Sequence, residues 1–245
     1  MIPRAIHELL FKFGWDPRRR NLDVAHALQP ILSQGQALLD AGCGEYGLAH
    51  FIGSAKVIDT DINRPTHLGK SQIFFRASVT SLPFANLSFP VVASVDVLEH
   101  LPLDVRDEAV AELVRVARTA MVIAFPCGQR ARQVDEDFQR RLVKLDKAQP
   151  DWLVEHLQNP YPSVESVLSK IQAESMKYHR HSIMKIFYSE QIRVTQMLRW
   201  AASRSRLLYI GINLFAGLLS SIIPQPNENN SYRAMIFVKF QEGLS

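Results

Sequence analysis

Short apolar runs separated by turn residues recur along the first half of the chain. The run at residues 90–95 is apolar apart from Ser94, and Leu38-Leu39 lead directly into an acid and a glycine-rich turn. Such runs are typical of strands in a parallel sheet that helices cover on both faces. The pattern predicts strands at residues 38–39, 56–62, 73–75, 90–95 and 120–125.

Apolar residues at helical spacing predict helices within residues 1–33, 103–118 and 189–200. Near the end of the chain, residues 206–212 are predicted as a sixth strand. The alternation of apolar and polar residues over 232–240 predicts a last strand inserted between two neighbours.

Residues 129–187 are rich in charge and are interrupted by Pro150, Pro160 and Pro162. They are predicted as a helical insertion above the carboxyl ends of the strands, where it would form an acceptor-binding lid. Glu155 or His156 could reach the pocket, but a helix with a solvent-exposed histidine is favoured. The basic cluster at residues 177–181 is interpreted as a solvated face or as a grip on an anionic acceptor.

Length and composition fit one domain of 245 residues, with an N-terminal helical cover at residues 1–34. A net charge of +4 is too small to argue for nucleic acid. Neither Cys43 and Cys127 nor His179 and His181 have the spacing of a metal site, so no metal is predicted. The expected location is the cytoplasm. No transmembrane span is expected, although residues 207–223 could rest on a membrane surface.

The glycine turn offers two interpretations. Gly42, Gly44 and Gly47 have the spacing of a dinucleotide-binding turn, and Asp61 follows 61 − 42 = 19 residues later. Asp40 argues against a dinucleotide, because its carboxylate would repel a pyrophosphate. S-adenosylmethionine carries a sulfonium and an ammonium instead, so the turn favours this cofactor. Asp59 and Asp61 both compete to bind the ribose, and Asp61 is chosen because it is nearer the strand's carboxyl end.

Four segments in order, LLDAGCGEYG, VIDTDI, SLPFANLSFPVVAS and DVLEHL, resemble the class I S-adenosylmethionine-dependent methyltransferases, in particular the methyltransferase 11-like group. The resemblance covers about residues 35–126. It implies an α/β, Rossmann-like fold with a seven-stranded, mostly parallel sheet and an antiparallel last strand. The helical insertion would follow strand five.

The predicted cofactor-binding residues lie at the carboxyl ends of the predicted strands. They are Asp40, Ala41, Gly42, Cys43, Gly44, Asp61, Ile62, Ser78, Val79, Asp96 and Val97. Ser78 departs from the family, whose members usually carry an acid there to meet the adenine amino group.

His100 is the predicted general base for an acceptor that must lose a proton. A structural histidine at a helix start is the alternative. Glu99 would hold the ring of His100 or face the cofactor. The N-terminal cover is interpreted as a helix on the sheet edge, or as a flap with Phe13 or Trp15 near the cofactor.

These features indicate an O- or N-methyltransferase acting on a small-molecule, glycan or lipid-linked acceptor. Ser78 and the divergent second half leave open a catalytically silent binding subunit. Methylation of RNA, with RNA bound across residues 129–181, is a third hypothesis, although a nucleic-acid partner is not favoured.

Overall fold

A computed structural model describes residues 4–32, 35–45, 47–53, 56–65 and 73–242. Within them the strands are β1 (Ala37–Ala41), β2 (Lys56–Asp61), β3 (Ile73–Arg76), β4 (Phe89–Val95), β5 (Ala117–Pro126), β6 (Arg180–Gln191) and β7 (Ser231–Glu242). The helices are α1 (Arg4–Phe13), α2 (Asp16–Leu28), α3 (Arg106–Val116), α4 (Gly128–Lys144), α5 (Asp151–Gln158), α6 (Val164–Lys177), α7 (Ile192–Arg204) and α8 (Arg206–Leu218).

The strands form one seven-stranded sheet in the order β3-β2-β1-β4-β5-β7-β6. β7 is antiparallel to both of its neighbours, and the other pairs are parallel. The predicted fold class, with its mostly parallel sheet and antiparallel last strand, is confirmed. The helices α4, α5 and α6 follow β5, as the predicted insertion requires.

Apolar side chains on both faces of the central strands explain the unbroken apolar runs. Leu39 and Val92 pack in a core that includes residues of α3 and α6, whereas Leu38 and Val91 pack against α2 on the other face. Successive residues of a strand point to opposite faces, so a strand covered on both sides must be apolar at nearly every position.

The boundaries in the second half differ from the prediction. The helical insertion ends at Lys177, and residues 180–187 belong to β6. Within the described residues β6 pairs with β7 alone, so it is an edge strand of the sheet. Its many exposed residues hide the strand pattern.

The predicted sixth strand at residues 206–212 is instead the start of α8. The Ser205 hydroxyl accepts a hydrogen bond from the Leu208 N–H at 3.4 Å and caps this helix. Gly217 packs so closely against the carbonyl of Phe13 that a Cβ atom on residue 217 would clash with it. The apolar run therefore packs as a helix beside the N-terminal cover; residues 1–3 and 33–34 of that predicted cover lie outside the described residues.

Candidate functional site

A cavity of about 420 Å³ opens at the carboxyl ends of β1, β2 and β4. β1 lies between β2 and β4, which is the position where open α/β sheets bind ligands. The volume is in the range of small-molecule sites. All predicted site residues except Ala41 and Glu99 line the cavity, namely Asp40, Gly42, Cys43, Gly44, Asp61, Ile62, Ser78, Val79, Asp96, Val97 and His100.

Ala41 is fully buried and packs in the core that contains α3. It was predicted to contact the cofactor because it precedes the glycine turn. Side chains alternate between the two faces of a strand, however, and Asp40 takes the position that faces the cavity.

The glycine turn is held close to β2. The N–H groups of Gly42 and Cys43 donate to the Thr60 carbonyl at 2.8 and 3.0 Å, so they are not free for a ligand as the sequence suggested. Gly42 has a φ of +79°, and a Cβ on it would lie 2.2 Å from Val97 Cγ2. Glycine is therefore required at this position.

The segment that follows the turn is short. A single 3₁₀ turn (Leu48–His50) stands where a dinucleotide-binding turn would open a helix. Its first N–H, on Leu48, donates to Asp40 Oδ2 at 2.7 Å. Tyr46, inside the turn motif, lies outside the described residues. Carboxylates, rather than a helix N-terminus, are therefore the main charged groups that the turn offers to a ligand.

Asp40 and Asp59 are buried acids at the base of this turn. Burial raises the pKa of Asp40 to about 7, despite its hydrogen bond from Leu48, and raises that of Asp59 to about 6. A cationic ligand beside Asp40 would stabilise its ionised form.

Asp61 is the acid of β2 that lines the cavity, whereas Asp59 does not line it. Asp61 Oδ2 accepts the Gly44 N–H at 3.0 Å, and its Oδ1 accepts the Asn63 N–H at 2.9 Å. The carboxylate is thus fixed in orientation at the mouth of the turn. Across the cavity, Ser78 Oγ shares a hydrogen bond of 2.8 Å with Thr80 Oγ1.

Asp96 is bound by two arginines. Arg233 Nε donates to its Oδ1 at 2.7 Å, and Arg20 Nη1 donates to its Oδ2 at 2.7 Å. Burial alone would raise the pKa of Asp96, but the charges of Arg233 and Arg20 lower it below its ordinary value. Arg233 also forms an ion pair with the buried Glu190.

Arg20 lines the cavity and was not predicted. The run of arginines at residues 18–20 was the available signal. The predicted flap residues do not line the cavity, because Phe13 is exposed and Trp15 is buried against Leu198 and Ala216. The N-terminal cover thus contributes an arginine to the site and no aromatic ring.

His100 contacts the insertion through both ring nitrogens. Its Nδ1 lies 2.6 Å from Glu155 Oε2, and its Nε2 lies 3.2 Å from His156 Nε2. His156 is buried, which corrects the expectation of a solvent-exposed histidine, and its Nδ1 lies 3.3 Å from Asp135 Oδ2. The helices α4 and α5 therefore meet the cavity edge of the sheet at this cluster.

Asp135 anchors the cluster from α4. Its carboxylate accepts hydrogen bonds from the hydroxyls of Tyr161 and Tyr232 at 2.5 and 2.6 Å, and from Arg199 Nε at 3.3 Å. Burial would raise the pKa of Asp135, but the charge of Arg199 and these hydrogen bonds lower it.

Glu99 is fully buried behind His100 and does not line the cavity. Burial, together with the nearby charge of Asp96, raises the pKa of Glu99 well above its ordinary value. Glu155, rather than Glu99, holds the ring of His100. The sequence could not show this, because Glu155 lies 55 residues further along the chain.

The basic cluster at residues 177–181 lies away from the cavity. Arg180 donates to the carbonyls of Ala117 and Val114 at 2.6 and 2.9 Å, at the amino end of β5. Its guanidinium lies 4.1 Å from the Phe240 ring centre. Arg180 is therefore a structural residue and cannot bind an acceptor at the opposite edge of the sheet.

Comparison with known proteins agrees with this geometry. Residues 39–125 match the family model described as "Methyltransferase domain". This part of the chain resembles a methyltransferase domain. The resemblance to the class I, methyltransferase 11-like group is thereby confirmed, and the match ends at β5, before the helical insertion. A sequence search of the curated proteins gives no significant match.

Solved structures share the fold of this methyltransferase domain. A methyltransferase from an antibiotic biosynthesis pathway of Anabaena variabilis is 13% identical, with a TM-score of 0.53 over 89% of this chain and 98% of its own. Phosphoethanolamine N-methyltransferase 2 of Haemonchus contortus, solved with S-adenosyl-L-methionine, is 14% identical, with a TM-score of 0.54 over 98% of this chain and 56% of its own.

The [4+2]-cyclase SpnF is 12% identical, with a TM-score of 0.56 over 98% of this chain and 92% of its own. At these sequence identities the similarity establishes the fold alone. The reaction has to be inferred from the residues of the site. Among the described residues, no helix combines the length and hydrophobicity needed to cross a membrane.

Proposed function

We propose that this protein is an S-adenosylmethionine-dependent methyltransferase acting on a small-molecule, glycan or lipid-linked acceptor. The observation that carries the proposal is the cavity itself. It joins the glycine turn, the acid Asp61 at the end of β2 and the residues after β4, within a chain whose residues 39–125 match a methyltransferase domain.

The cavity residues suit the parts of this cofactor. Asp61 would accept hydrogen bonds from the ribose hydroxyls, and Ser78 and Val79 would border the adenine. Asp40 would lie on the side of the sulfonium and ammonium groups, where a negative charge favours binding. No phosphate-binding helix N-terminus is present among the described residues of the turn, since a 3₁₀ turn replaces it.

Methyl transfer from a sulfonium needs mainly alignment and exclusion of water. Holding the acceptor in line with the methyl group is the largest contribution that such a site makes. Glu155 of α5 lines the cavity beside His100, so the insertion adjoins the place where the acceptor would approach. As a general base, His100 would have to give up its contact with Glu155 or with His156.

Two observations bear on the alternatives. The silent-subunit hypothesis is favoured by Ser78, and by the engagement of Asp96 with two arginines. The RNA hypothesis loses support because cationic side chains of the insertion are used internally: Arg132 donates to the carbonyls of Asn159 and Leu157, and Arg140 pairs with Asp137.

Calorimetric titration of the full chain with S-adenosylmethionine tests the proposal. We expect binding of one cofactor per chain. An Asp61→Ala variant should bind at least about tenfold more weakly, because it loses charge-assisted hydrogen bonds. Asp104→Ala, which removes an exposed acid outside the cavity, is the matched control. Unchanged affinity in Asp61→Ala would contradict the assigned ribose contact.

A further inference from the structure

We propose that Glu99, His100 and His156 form a binding site for one divalent transition-metal ion in the wall of the cavity. One ligand atom from each residue lies within 4.8 Å of the others. His156 Nε2 lies 3.2 Å from His100 Nε2 and 3.8 Å from Glu99 Oε1. Ligand atoms about 2.0–2.2 Å from a tetrahedral ion are roughly 3.3–3.6 Å apart, so small side-chain movements suffice.

Glu99 supplies the first independent argument. Its side chain is 0% exposed, and neither carboxylate oxygen makes a hydrogen bond to another of the described residues. A buried carboxylate without a hydrogen bond is costly, and native proteins rarely keep one without a reason. A coordinated cation would provide the missing partner.

The two histidines supply the second argument. His156 Nδ1 lies 3.3 Å from Asp135 Oδ2, and His100 Nδ1 lies 2.6 Å from Glu155 Oε2. A carboxylate at Nδ1 keeps the proton there and leaves Nε2 with a free lone pair, as is usual for metal-bound histidines. The two Nε2 atoms are 3.2 Å apart, so one cation could be bound by both. Asp135 is in turn held by Tyr161, Tyr232 and Arg199.

The donor set selects the class of ion. Two imidazoles and one carboxylate suit Zn²⁺, Co²⁺ or Fe²⁺, whereas Mg²⁺ and Ca²⁺ prefer oxygen donors throughout. Three protein ligands leave at least one coordination position open. His100 lines the cavity while Glu99 and His156 are buried behind it, so the open position would face the cavity.

This site would specify the acceptor, an inference that rests on the proposed function. A hydroxyl oxygen bound to the ion has a lowered pKa and loses its proton to solvent. The resulting oxygen anion forms the new O–CH₃ bond while the S–CH₃ bond breaks, and the electron pair of that bond stays on sulfur. The products are a methyl ether and S-adenosylhomocysteine. The acceptor class is therefore a hydroxyl compound, and the reaction is O-methylation.

The sequence could not show this site, because His156 lies 56 residues after His100 and in a different helix. Only the packing of α5 against the 3₁₀ turn Leu98–His100 brings the three residues together.

The test uses untagged full-length protein that has been treated with a chelator and then titrated with Co²⁺ and with Zn²⁺. We expect one ion per chain, and visible d–d absorption for Co²⁺ with nitrogen and oxygen ligands. Glu99→Gln, which keeps the size of the side chain, and His100→Ala, which removes a half-buried ring, should each weaken binding at least about tenfold. His181→Ala, at an exposed histidine of β6, should bind like the unaltered protein.

Either of two results would overturn the proposal. One is the absence of Co²⁺ and Zn²⁺ binding by the folded, unaltered protein at millimolar metal. The other is unchanged binding in both Glu99→Gln and His100→Ala. Parallel titrations with S-adenosylhomocysteine separate this outcome from failure of the proposed function, because cofactor binding without metal binding refutes the metal site alone.

Discussion

At Asp40, burial favours the neutral carboxyl group, whereas a cationic ligand would favour the ionised carboxylate. Its carboxyl is buried beside Asp59, yet it lines a cavity that we assign to a cationic cofactor. Its folded-state pKa of about 7 lies above the ordinary aspartate value of 3.8. Between these values the folded protein binds more protons than the unfolded chain, so this residue makes stability fall as pH rises.

Asp40→Asn should remove this pH dependence while keeping an oxygen that accepts the Leu48 N–H. We expect the free energy of unfolding of the variant, relative to the unaltered protein, to increase between about pH 5 and about pH 8. Chemical denaturation at both pH values measures it. A difference that is constant with pH would show that Asp40 is ionised throughout.

Arg233 is a second residue whose substitution should change the free energy of unfolding. It binds Asp96 and pairs with Glu190, and all three side chains are largely buried. Arg233→Met should lower the free energy of unfolding by about 3–5 kcal/mol, because it leaves two buried carboxyls without this partner. Arg193→Met, at an exposed position of α7, should change stability by less than about 0.5 kcal/mol. Equal effects of the two substitutions would contradict this account.

At the scale of elements, α4 and α5 connect the insertion to the sheet through one carboxylate. Asp135 of α4 is fully buried and binds side chains from α5, α7, β7 and the loop before α6. The Arg199 side chain is 15% exposed; burial alone would lower its pKa, but the nearby charge of Asp135 raises that pKa above its ordinary value. The packing of the insertion should therefore be sensitive to the charge of this residue.

Asp135→Asn should lower the free energy of unfolding by about 3 kcal/mol, since the Arg199 guanidinium loses its nearer carboxylate and keeps Asp16 at 3.8 Å. Asp137→Asn, on the same helix, removes the charge of a half-exposed acid that pairs with Arg140, and should cost less than about 0.5 kcal/mol. Thermal and urea unfolding of both variants measure the difference. A mild effect of Asp135→Asn would show that the insertion does not depend on this network.

At the scale of the whole molecule, the sheet was predictable where strand pairing is parallel and buried. The apolar runs at residues 90–95 and 120–125 predict β4 and β5, because only a doubly covered strand carries so few polar residues. The edge strand β6 was missed, since its exposed and charged residues resemble a solvated helix. The start of α8 was misassigned as a strand because a continuous apolar run has no periodicity that separates a buried strand from a buried helix.

The sequence predicts the site residues that directly follow the ends of strands. It does not predict residues that only tertiary packing brings to the cavity. Asp61 and His100 follow strands of the recognisable half and line the cavity. Arg20 comes from α2, and no local pattern marks a side chain that reaches the site from a separate element. Glu155 of α5 lines the cavity, which the sequence allowed as one interpretation of the insertion. Glu99 and Ala41 were included by adjacency, although their side chains are buried.

The central claim is that the cavity between the glycine turn and Asp61 binds S-adenosylmethionine. A crystal structure with S-adenosylhomocysteine tests it most directly. The account predicts the ribose hydroxyls on Asp61, the adenine beside Ser78 and Val79, and the sulfur directed towards His100. A cavity that stays empty at millimolar ligand, or a ligand bound elsewhere on the chain, would contradict it.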